Sequence, residues 1–264
     1  MSATHEIDYR IVGEEMQYVE IELDPNESAI AESGSFMLMD DGIQMQTIFG
    51  DGSNQNKGVL GKLFSAGKRL LTGESLFMTA FTNMGQGKRK VSFAAPYPGK
   101  IIPLDLLRLG GPVVCQKDAF LCAAKGVSVG IALQRKLGTG LFGGEGFIMQ
   151  KLEGDGMAFV HAGGHVFERE LLPGELLKID TGCVVGYTHT VRFDIQFVGG
   201  VKNTIFGGEG LFFATLQGPG KVWIQTLPVS RLASRILAYG TYNRKEEGSM
   251  LGGLGNLLDG DGYR

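Results

Sequence analysis

Residues 144–162 read GEGFIMQKLEGDGMAFVHA, and residues 208–226 read GEGLFFATLQGPGKVWIQT. Each stretch opens with a Gly-Glu turn, continues as an apolar strand, turns again at glycine and ends in a second apolar strand. A longer copy, GESLFMTAFTNMGQGKRKVSFAA, occupies residues 73–95. The glycine turns favour a hairpin within each copy, and three copies of one pattern predict three repeated β-modules.

A second pattern precedes each Gly-Glu copy. It reads ESAIAESGSFMLM at residues 27–39, DAFLCAAKGVSVGI at residues 118–131 and GELLKIDTGCVVGY at residues 174–187. Gly34, Gly126 and Gly182 interrupt these apolar stretches, which is typical of a strand that bends or turns into a hairpin partner. The alternating stretches VEIEL and VFEREL lie in the same modules and predict strands with one face in water.

Together these patterns predict an all-β protein made of duplicated double-stranded β-helix or sandwich-like modules. We expect one pseudo-threefold domain over residues 1–240, with modules at about 7–98, 99–162 and 163–227. Apolar residues recur at helical spacing over 229–239, after Pro228 and before Gly240, and predict one C-terminal helix. The glycine- and leucine-rich residues 241–264 predict a mobile tail or a clasp between subunits.

The composition excludes several classes of protein. The chain has 264 residues, of which 42 are glycine, about twice the usual share. However, 43% of the residues are hydrophobic and only 8 are proline, so the chain is neither collagen-like nor disordered. The net charge of −3 is too balanced for the whole surface to attract nucleic acid.

The cysteines and the apolar segments indicate a compartment. Cys115, Cys122 and Cys183 each lie in an apolar run, which favours buried free thiols in a reducing cytoplasm. The N-terminal stretch has no apolar core of a secretory signal, and no stretch is long and apolar enough for a transmembrane helix. We therefore expect a cytoplasmic protein.

An insertion at about residues 50–72 interrupts the first module. It carries Lys57, Lys62, Lys68 and Arg69 and no acidic residue from Gly52 to Thr72. Such a segment is typical of a contact with an acidic partner, an anionic lipid or nucleic acid. The alternative is a solvated insertion that covers one edge of a sheet.

Seven ordered phrases of the chain resemble the altered-inheritance-of-mitochondria protein 24 family, in its uncharacterised bacterial and archaeal branch. They include VEIELDPNESAIAESGSFMLMD at 19–40, GLFGGEGFIMQKLEGDGMAFVHAGG at 140–164 and FGGEGLFFATLQGPGKVWIQTLP at 206–228. The resemblance covers about residues 7–239. It implies a fold like that of the trp RNA-binding attenuation protein and a pseudo-symmetric or ring-like assembly. The mitochondrial members are implicated in organising the inner membrane, but this chain has no evident transit peptide, and the family offers no catalytic set to carry over.

Three glutamates recur at the start of the Gly-Glu copies: Glu74, Glu145 and Glu209. If the pseudo-symmetry brought them to one axis, their carboxylates would be able to bind a cation. The favoured interpretation is structural, in which each carboxylate accepts backbone N–H bonds or pairs with a basic side chain. No further metal ligand recurs at a fixed offset from them.

The histidines give a weak imitation of a cupin-type metal site. His161 and His165 are four residues apart, but the two glycines between them argue against a helix that would place both on one face. His165, Glu168 (or Glu170) and His189 are the best available set of ligands for a metal. Structural or surface histidines are the favoured alternative, and we expect no metal and no cofactor.

The sequence gives little support for nucleophilic catalysis, phosphate binding or nucleic-acid binding. There is no GxSxG nucleophile elbow, and the cysteines lack a neighbouring histidine or positive field. The glycine-rich strings stand between strands and do not match the phosphate-binding loop GxxxxGK[ST]. The basic run Lys88, Arg89 and Lys90 has no counterpart in the other modules, so nucleic-acid binding rests on fold analogy alone.

We therefore expect a non-enzymatic β-rich scaffold or interaction protein that acts as a homo-oligomer, for which a trimer is one arrangement, together with an unknown protein partner. Three alternatives stay open. They are a cupin-like enzyme that binds a small molecule or a metal, a peripheral membrane-associated organising protein, and a nucleic-acid-binding protein.

Overall fold

The computed structural model describes residues 4–32, 34–49, 77–135, 146–198 and 211–239. Over these residues the chain forms nineteen β-strands, a helix α1 at 229–239, and 3-10 turns at Lys117–Ala119 and Thr181–Cys183. The prediction of an all-β fold with one C-terminal helix is confirmed.

The first module follows an N-terminal strand, β1 (Asp8–Val12). Its six strands are β2 (Tyr18–Leu23), β3 (Ser28–Glu32), β4 (Phe36–Met39), β5 (Ile43–Phe49), β6 (Phe77–Asn83) and β7 (Arg89–Ala94). In β2 the apolar residues are buried and the acidic residues are partly exposed, as the alternating sequence predicts.

The second and third modules repeat this order of strands. Module 2 comprises β8 (Gly99–Asp105), β9 (Val113–Gln116), β10 (Phe120–Ala124), β11 (Ser128–Arg135), β12 (Phe147–Glu153) and β13 (Met157–Gly163). Module 3 comprises β14 (Val166–Leu171), β15 (Leu176–Asp180), β16 (Val184–Thr188), β17 (Arg192–Val198), β18 (Leu211–Gln217) and β19 (Gly220–Gln225).

Each module has the same antiparallel pairings. The sixth strand pairs with the first and the third, and the fifth strand pairs with the second and the fourth. The third strand carries a register shift after its first residue in every module. A module is therefore a small sandwich whose two halves belong to different sheets.

Successive modules are joined by hydrogen bonds between strands. The second strand of one module pairs with the third strand of the next, so β3 pairs with β10 and β9 pairs with β16. The result is four sheets, with strand orders β1-β2-β7-β4, β5-β6-β3-β10-β13-β8, β11-β12-β9-β16-β19-β14 and β15-β18-β17. Three hydrophobic clusters lie between successive sheets, so the core is divided along the chain of modules.

The glycine turns have a different role from the one that the sequence predicts. The turn at 154–156 joins β12 to β13, and the turn at 218–219 joins β18 to β19, but the two strands on either side lie in different sheets. The prediction of hairpins at these turns is therefore wrong. Gly154 has φ +149° and Gly220 has φ +142°, values that L side chains rarely adopt, and they turn the chain from one sheet to the next.

The second pattern also needs correction. Gly34 and Gly182 lie between the second and third strands of their modules, whereas Gly126 follows the third strand of module 2. These three glycines are therefore not equivalent. The strands on either side of Gly34, β3 and β4, lie in different sheets and do not form a hairpin.

Candidate functional site

The first candidate surface is the free edge of β4. This strand pairs with β7 on one side and has no strand partner on its other side within the described residues. All four of its side chains are large, apolar and between 36% and 47% exposed: Phe36, Met37, Leu38 and Met39. An exposed apolar edge strand is a template for pairing with another strand.

A second free edge lies at the other end of the row of modules. Among the strands that the structure describes, β15 pairs with β18 alone. Leu176 is 54% exposed, and Leu177 and Ile179 are partly buried. The edge therefore also presents apolar side chains beside unpaired backbone groups.

The two free edges correspond to the two halves of the internal junctions. β10 and β16, which are equivalent to β4, are buried at every residue, and each pairs with a second strand from the preceding module. In the part of the chain that the structure describes, β4 has no such partner, and β15 is the second strand without a third strand to pair with. The two edges are thus complementary in type, and they are not paired with each other.

The internal junctions also define a register for these edges. In both junctions the penultimate residue of the second strand lies opposite the third residue of the third strand, as Ala31 lies opposite Cys122 and Cys115 lies opposite Gly186. The same register on the free edges places Ile179 opposite Leu38.

A cavity of about 440 Å³ lies beside α1. Residues of β9, β12, β13 and the 3-10 turn Lys117–Ala119 form part of its wall, and one face of α1 forms another. The helix begins where Pro228 accepts hydrogen bonds from the backbone N–H groups of Arg231 and Leu232. Arg231 also lies 3.3 Å from the carboxylate of Asp180 at the end of β15, which fixes the helix to module 3.

His161 on β13 is the unusual polar residue of this cavity. Its side chain is 1% exposed, and neither Nδ1 nor Nε2 has a hydrogen-bond partner of acceptable geometry in the described part of the chain. The ring packs edge-on against Tyr97 with centroids 4.4 Å apart. Burial lowers the pKa of His161 to about 4, and the backbone of Tyr97 only partly opposes this shift, so the imidazole is neutral at pH 7.

The residues of the predicted metal set have other roles. His165 is exposed before β14, and His189 is exposed after β16 with its ring against Gly111. Glu168 accepts hydrogen bonds from Lys221 Nζ at 2.7 Å and Trp223 Nε1 at 2.9 Å; chiefly the bond from Lys221 lowers the pKa of its carboxyl group. Among the residues that the structure describes, no three His, Cys, Asp or Glu side chains form a group that could hold a metal ion.

Several predicted residues lie outside the described residues. They are the repeated glutamates Glu74, Glu145 and Glu209, and the basic residues of the insertion, Lys57, Lys62, Lys68 and Arg69. The tail at 241–264 is outside them too.

The basic run after β6 is neutralised within the protein. Lys88 Nζ lies 2.7 Å from Glu22 and 3.2 Å from Asp8, and Lys90 lies 3.0 Å from Glu20. Arg89 donates hydrogen bonds to the carbonyl oxygens of Asp41 and Lys88. Because these cations already have partners, the run is poorly suited to holding phosphates.

The cysteines are free thiols in the structure. Cys115 and Cys122 are buried and Cys183 is partly buried. Burial raises the pKa of all three thiols, most strongly for the first two. Since the thiolate is the nucleophilic form, these groups are inert at neutral pH.

The sequence interpretation missed the two free edges and the role of His161. The edges were not predictable because β4 has the same apolar composition as its buried equivalents, and only the pairing shows that it lacks a cover. For His161 a signal was present: it lies in the run FVHA, between apolar residues of a strand that is buried on both faces.

No helix within the described residues is long and apolar enough to cross a membrane.

Comparison with known proteins gives a consistent result. The sequence profile of the family described as Mitochondrial biogenesis AIM24 matches residues 9–227. An uncharacterised protein of Streptococcus pyogenes serotype M6 is 30% identical over 225 residues, which is 84% of this chain and 86% of that protein. A crystal structure of a Streptococcus pyogenes protein matches 89% of this chain and 100% of its own, with 23% identity and a TM-score of 0.68, and so has the same fold. The chain therefore belongs to the mitochondrial biogenesis AIM24 family.

Proposed function

We propose that the protein is a non-enzymatic scaffold that assembles with copies of itself, by pairing β15 of one copy with β4 of the next. The observation that carries this proposal is the repeated junction: among the described strands, this type of pairing is made twice internally, and both halves of a third are left without a strand partner.

The chemistry of the two edges supports this pairing. Apolar side chains on both edges would leave water on association, which is the main favourable term in assembly. Burial similar to that of β10 and β16 would cover Phe36, Met37, Leu38 and Met39. A head-to-tail contact of two different surfaces closes into a ring when its rotation permits and otherwise extends into a filament. Of these two we propose the ring, which is the closed form that the family resemblance implies.

Two further observations fit a scaffold of the cytoplasm. The buried free thiols Cys115 and Cys122 are typical of a reducing compartment. The neutral, buried His161 also has no hydrogen-bond partner, within the described residues, that would orient it as a general base.

Charge substitutions on the two edges test the proposal. Leu38→Glu places a carboxylate on β4, and Ile179→Lys places an ammonium group on β15, at positions that the register puts opposite each other. We expect the wild-type protein to be an oligomer by light scattering during size-exclusion chromatography. Each variant alone should be a monomer, since an unpaired buried charge costs several kcal/mol.

Mixing the two variants should restore the oligomer. Where the altered β4 of one variant meets the altered β15 of the other, the new glutamate lies opposite the new lysine, and these opposite charges attract each other. The remaining junctions pair an unaltered β4 with an unaltered β15. Leu107→Glu is the matched control, because Leu107 is 70% exposed and lies in module 2, between β8 and β9, and so on neither free edge; this variant should assemble like the wild type. A monomeric wild-type protein at 50 μM (roughly the range where a micromolar interface is populated), or a mixture that stays monomeric, would contradict the proposal.

A further inference from the structure

The imidazole of His161 is buried and has no hydrogen-bond partner among the described residues. An unsatisfied buried donor or acceptor destabilises a protein by about 1–3 kcal/mol, and nearly all such groups in native proteins have a partner. A neutral imidazole presents one donor and one acceptor. The cavity beside His161 has room for a molecule that supplies the missing partner.

The other buried polar group of the cavity wall is already paired. Gln225 accepts a hydrogen bond from the backbone N–H of Gly163 at 2.8 Å and donates one to the carbonyl oxygen of Gly182 at 2.9 Å. Gln116 donates to the carbonyl oxygen of Thr181 at 2.9 Å. These amides hold the backbone around the cavity, whereas both ring nitrogens of His161 have no hydrogen-bond partner in the described part of the chain.

The backbone makes space for this imidazole. A Cβ atom added to Gly99 would lie 2.8 Å from His161 Nε2 and 1.9 Å from the carbonyl oxygen of Ala162. The contact with the backbone oxygen alone requires glycine at position 99, and the missing side chain also leaves room for the ring of His161.

We propose that the cavity is a binding site for an uncharged, largely apolar small molecule that carries a hydroxyl or carbonyl group, and that His161 forms a hydrogen bond with this group. The site is distinct from the edges that join copies of the chain.

The lining of the cavity determines this ligand class. Phe147, Ile148, Pro228, Val229 and Ala233 contribute apolar surface, which favours an apolar body. A neutral histidine gives no charge with which to hold an anion, and Lys117 and Asp118 on the wall have opposite signs. The volume of about 440 Å³ falls in the range of small-molecule sites, roughly 300–1,000 Å³.

The test uses the full chain and 4-propylphenol as a neutral probe, with 4-propylbenzoate as its charged analogue. Binding is measured by calorimetry and by the ¹⁵N resonances of the His161 ring. We expect one 4-propylphenol per chain and a shift of the His161 resonances. We also expect 4-propylbenzoate to bind at least tenfold more weakly at pH 8, since burying its charge is costly (several kcal/mol or more).

Variants locate the site. Ala233→Trp fills the cavity from α1 and should abolish binding, whereas Arg235→Trp on the same helix, outside the cavity lining, should bind as the wild type does. His161→Phe keeps an aromatic ring but removes both nitrogens, and should weaken binding about tenfold, the usual effect of one buried hydrogen bond. Thermal melts of all variants show that they are folded; if Ala233→Trp is not, Ser230→Trp replaces it.

Three results would overturn the inference. They are the absence of 4-propylphenol binding by the wild type, binding that survives in Ala233→Trp, and binding by His161→Phe that equals that of the wild type. Tighter binding of 4-propylbenzoate would show that the ligand class is wrong.

Discussion

At the scale of single residues, the buried side chain of Gln150 has an incomplete set of hydrogen-bond partners where modules 1 and 2 meet. Gln150 is 0% exposed and donates from Nε2 to Glu32 at 3.2 Å, but its Oε1 has no partner among the described residues. Burial raises the pKa of Glu32, while the bond from Gln150 opposes this shift. The ionised form of Glu32 therefore carries a desolvation cost.

Glu32→Gln should stabilise the protein at pH 7 by about 1 kcal/mol, because it removes the buried charge and adds an N–H donor for Gln150 Oε1. The direction in which stability changes with pH follows from the raised pKa of Glu32. Between the unfolded pKa and the higher folded pKa the folded state binds more protons, so wild-type stability falls as the pH rises through this window. The advantage of the variant should therefore shrink as the pH falls through this window and be smallest below the ordinary pKa range of a glutamate.

Urea unfolding of both proteins at pH 7 and pH 4 measures this difference. Glu6→Gln is the control, because Glu6 is exposed and surface substitutions usually change stability by less than about 0.5 kcal/mol. A Glu32→Gln variant that is less stable at pH 7 would mean that the carboxylate is needed as an acceptor.

The environments of single residues are only partly predictable from the sequence. It correctly indicates that Cys115 and Cys122 are buried free thiols, because the apolar runs around them permit no other environment. It cannot show that Lys88 is paired with Glu22 and Asp8, since these partners lie 66 and 80 residues away in the chain. The long-range pairs depend on a register that no local pattern encodes.

At the scale of elements, three equivalent strands have three different neighbourhoods. β10 and β16 are covered on both sides, and β4 is covered on one. The backbone N–H groups of β4 that face away from β7 have no strand partner in the described residues, so assembly through β15 should protect them.

Hydrogen exchange should therefore distinguish β4 from its equivalents. In the wild-type oligomer, amides of Phe36–Met39 should exchange at least tenfold more slowly than in Leu38→Glu, because pairing closes the edge. Amides of Phe120–Ala124 and Val184–Thr188 should exchange equally in both proteins, as their partners lie within the chain. Equal exchange of β4 in the two proteins would mean that this edge stays open.

The strands themselves are largely predictable, but their partners are not. Apolar alternation places β2 and β14, and the helical spacing places α1 at 229–239. Glycine turns suggest hairpins, yet Gly154 and Gly220 adopt φ values that carry the chain into another sheet. A glycine-rich turn predicts that the chain reverses its direction, but the backbone angles of the turn determine which sheet the next strand joins.

At the scale of the whole molecule, the chain is a row of three modules with two different ends. The row has β4 as the free edge of module 1 and β15 as the free edge of module 3. Assembly would bury both ends and link each copy to two neighbours, so the stability of the fold should depend on the protein concentration.

The melting temperature of the wild-type protein should rise by several degrees over a hundredfold increase in concentration. Association that favours the folded state stabilises it by mass action, and about 1.4 kcal/mol is gained per tenfold increase. Leu38→Glu should melt at a temperature that does not depend on concentration. Differential scanning fluorimetry between 1 and 100 μM, roughly the range of weak to moderate protein association, makes the comparison, and a wild-type melting temperature that stays constant would argue against assembly by folded copies.

The repeated junction would form both within one polypeptide and between separate molecules. Two of the three junctions lie within one polypeptide, where the linker holds the partner strands at an effective concentration in the millimolar range. The third would join separate molecules and would form only when their real concentration in the cell is high enough. The same strand pairing would then always be formed at two places, and at the third it would form only above a certain protein concentration. The abundance of the protein in the cell would therefore decide whether the copies assemble into a ring.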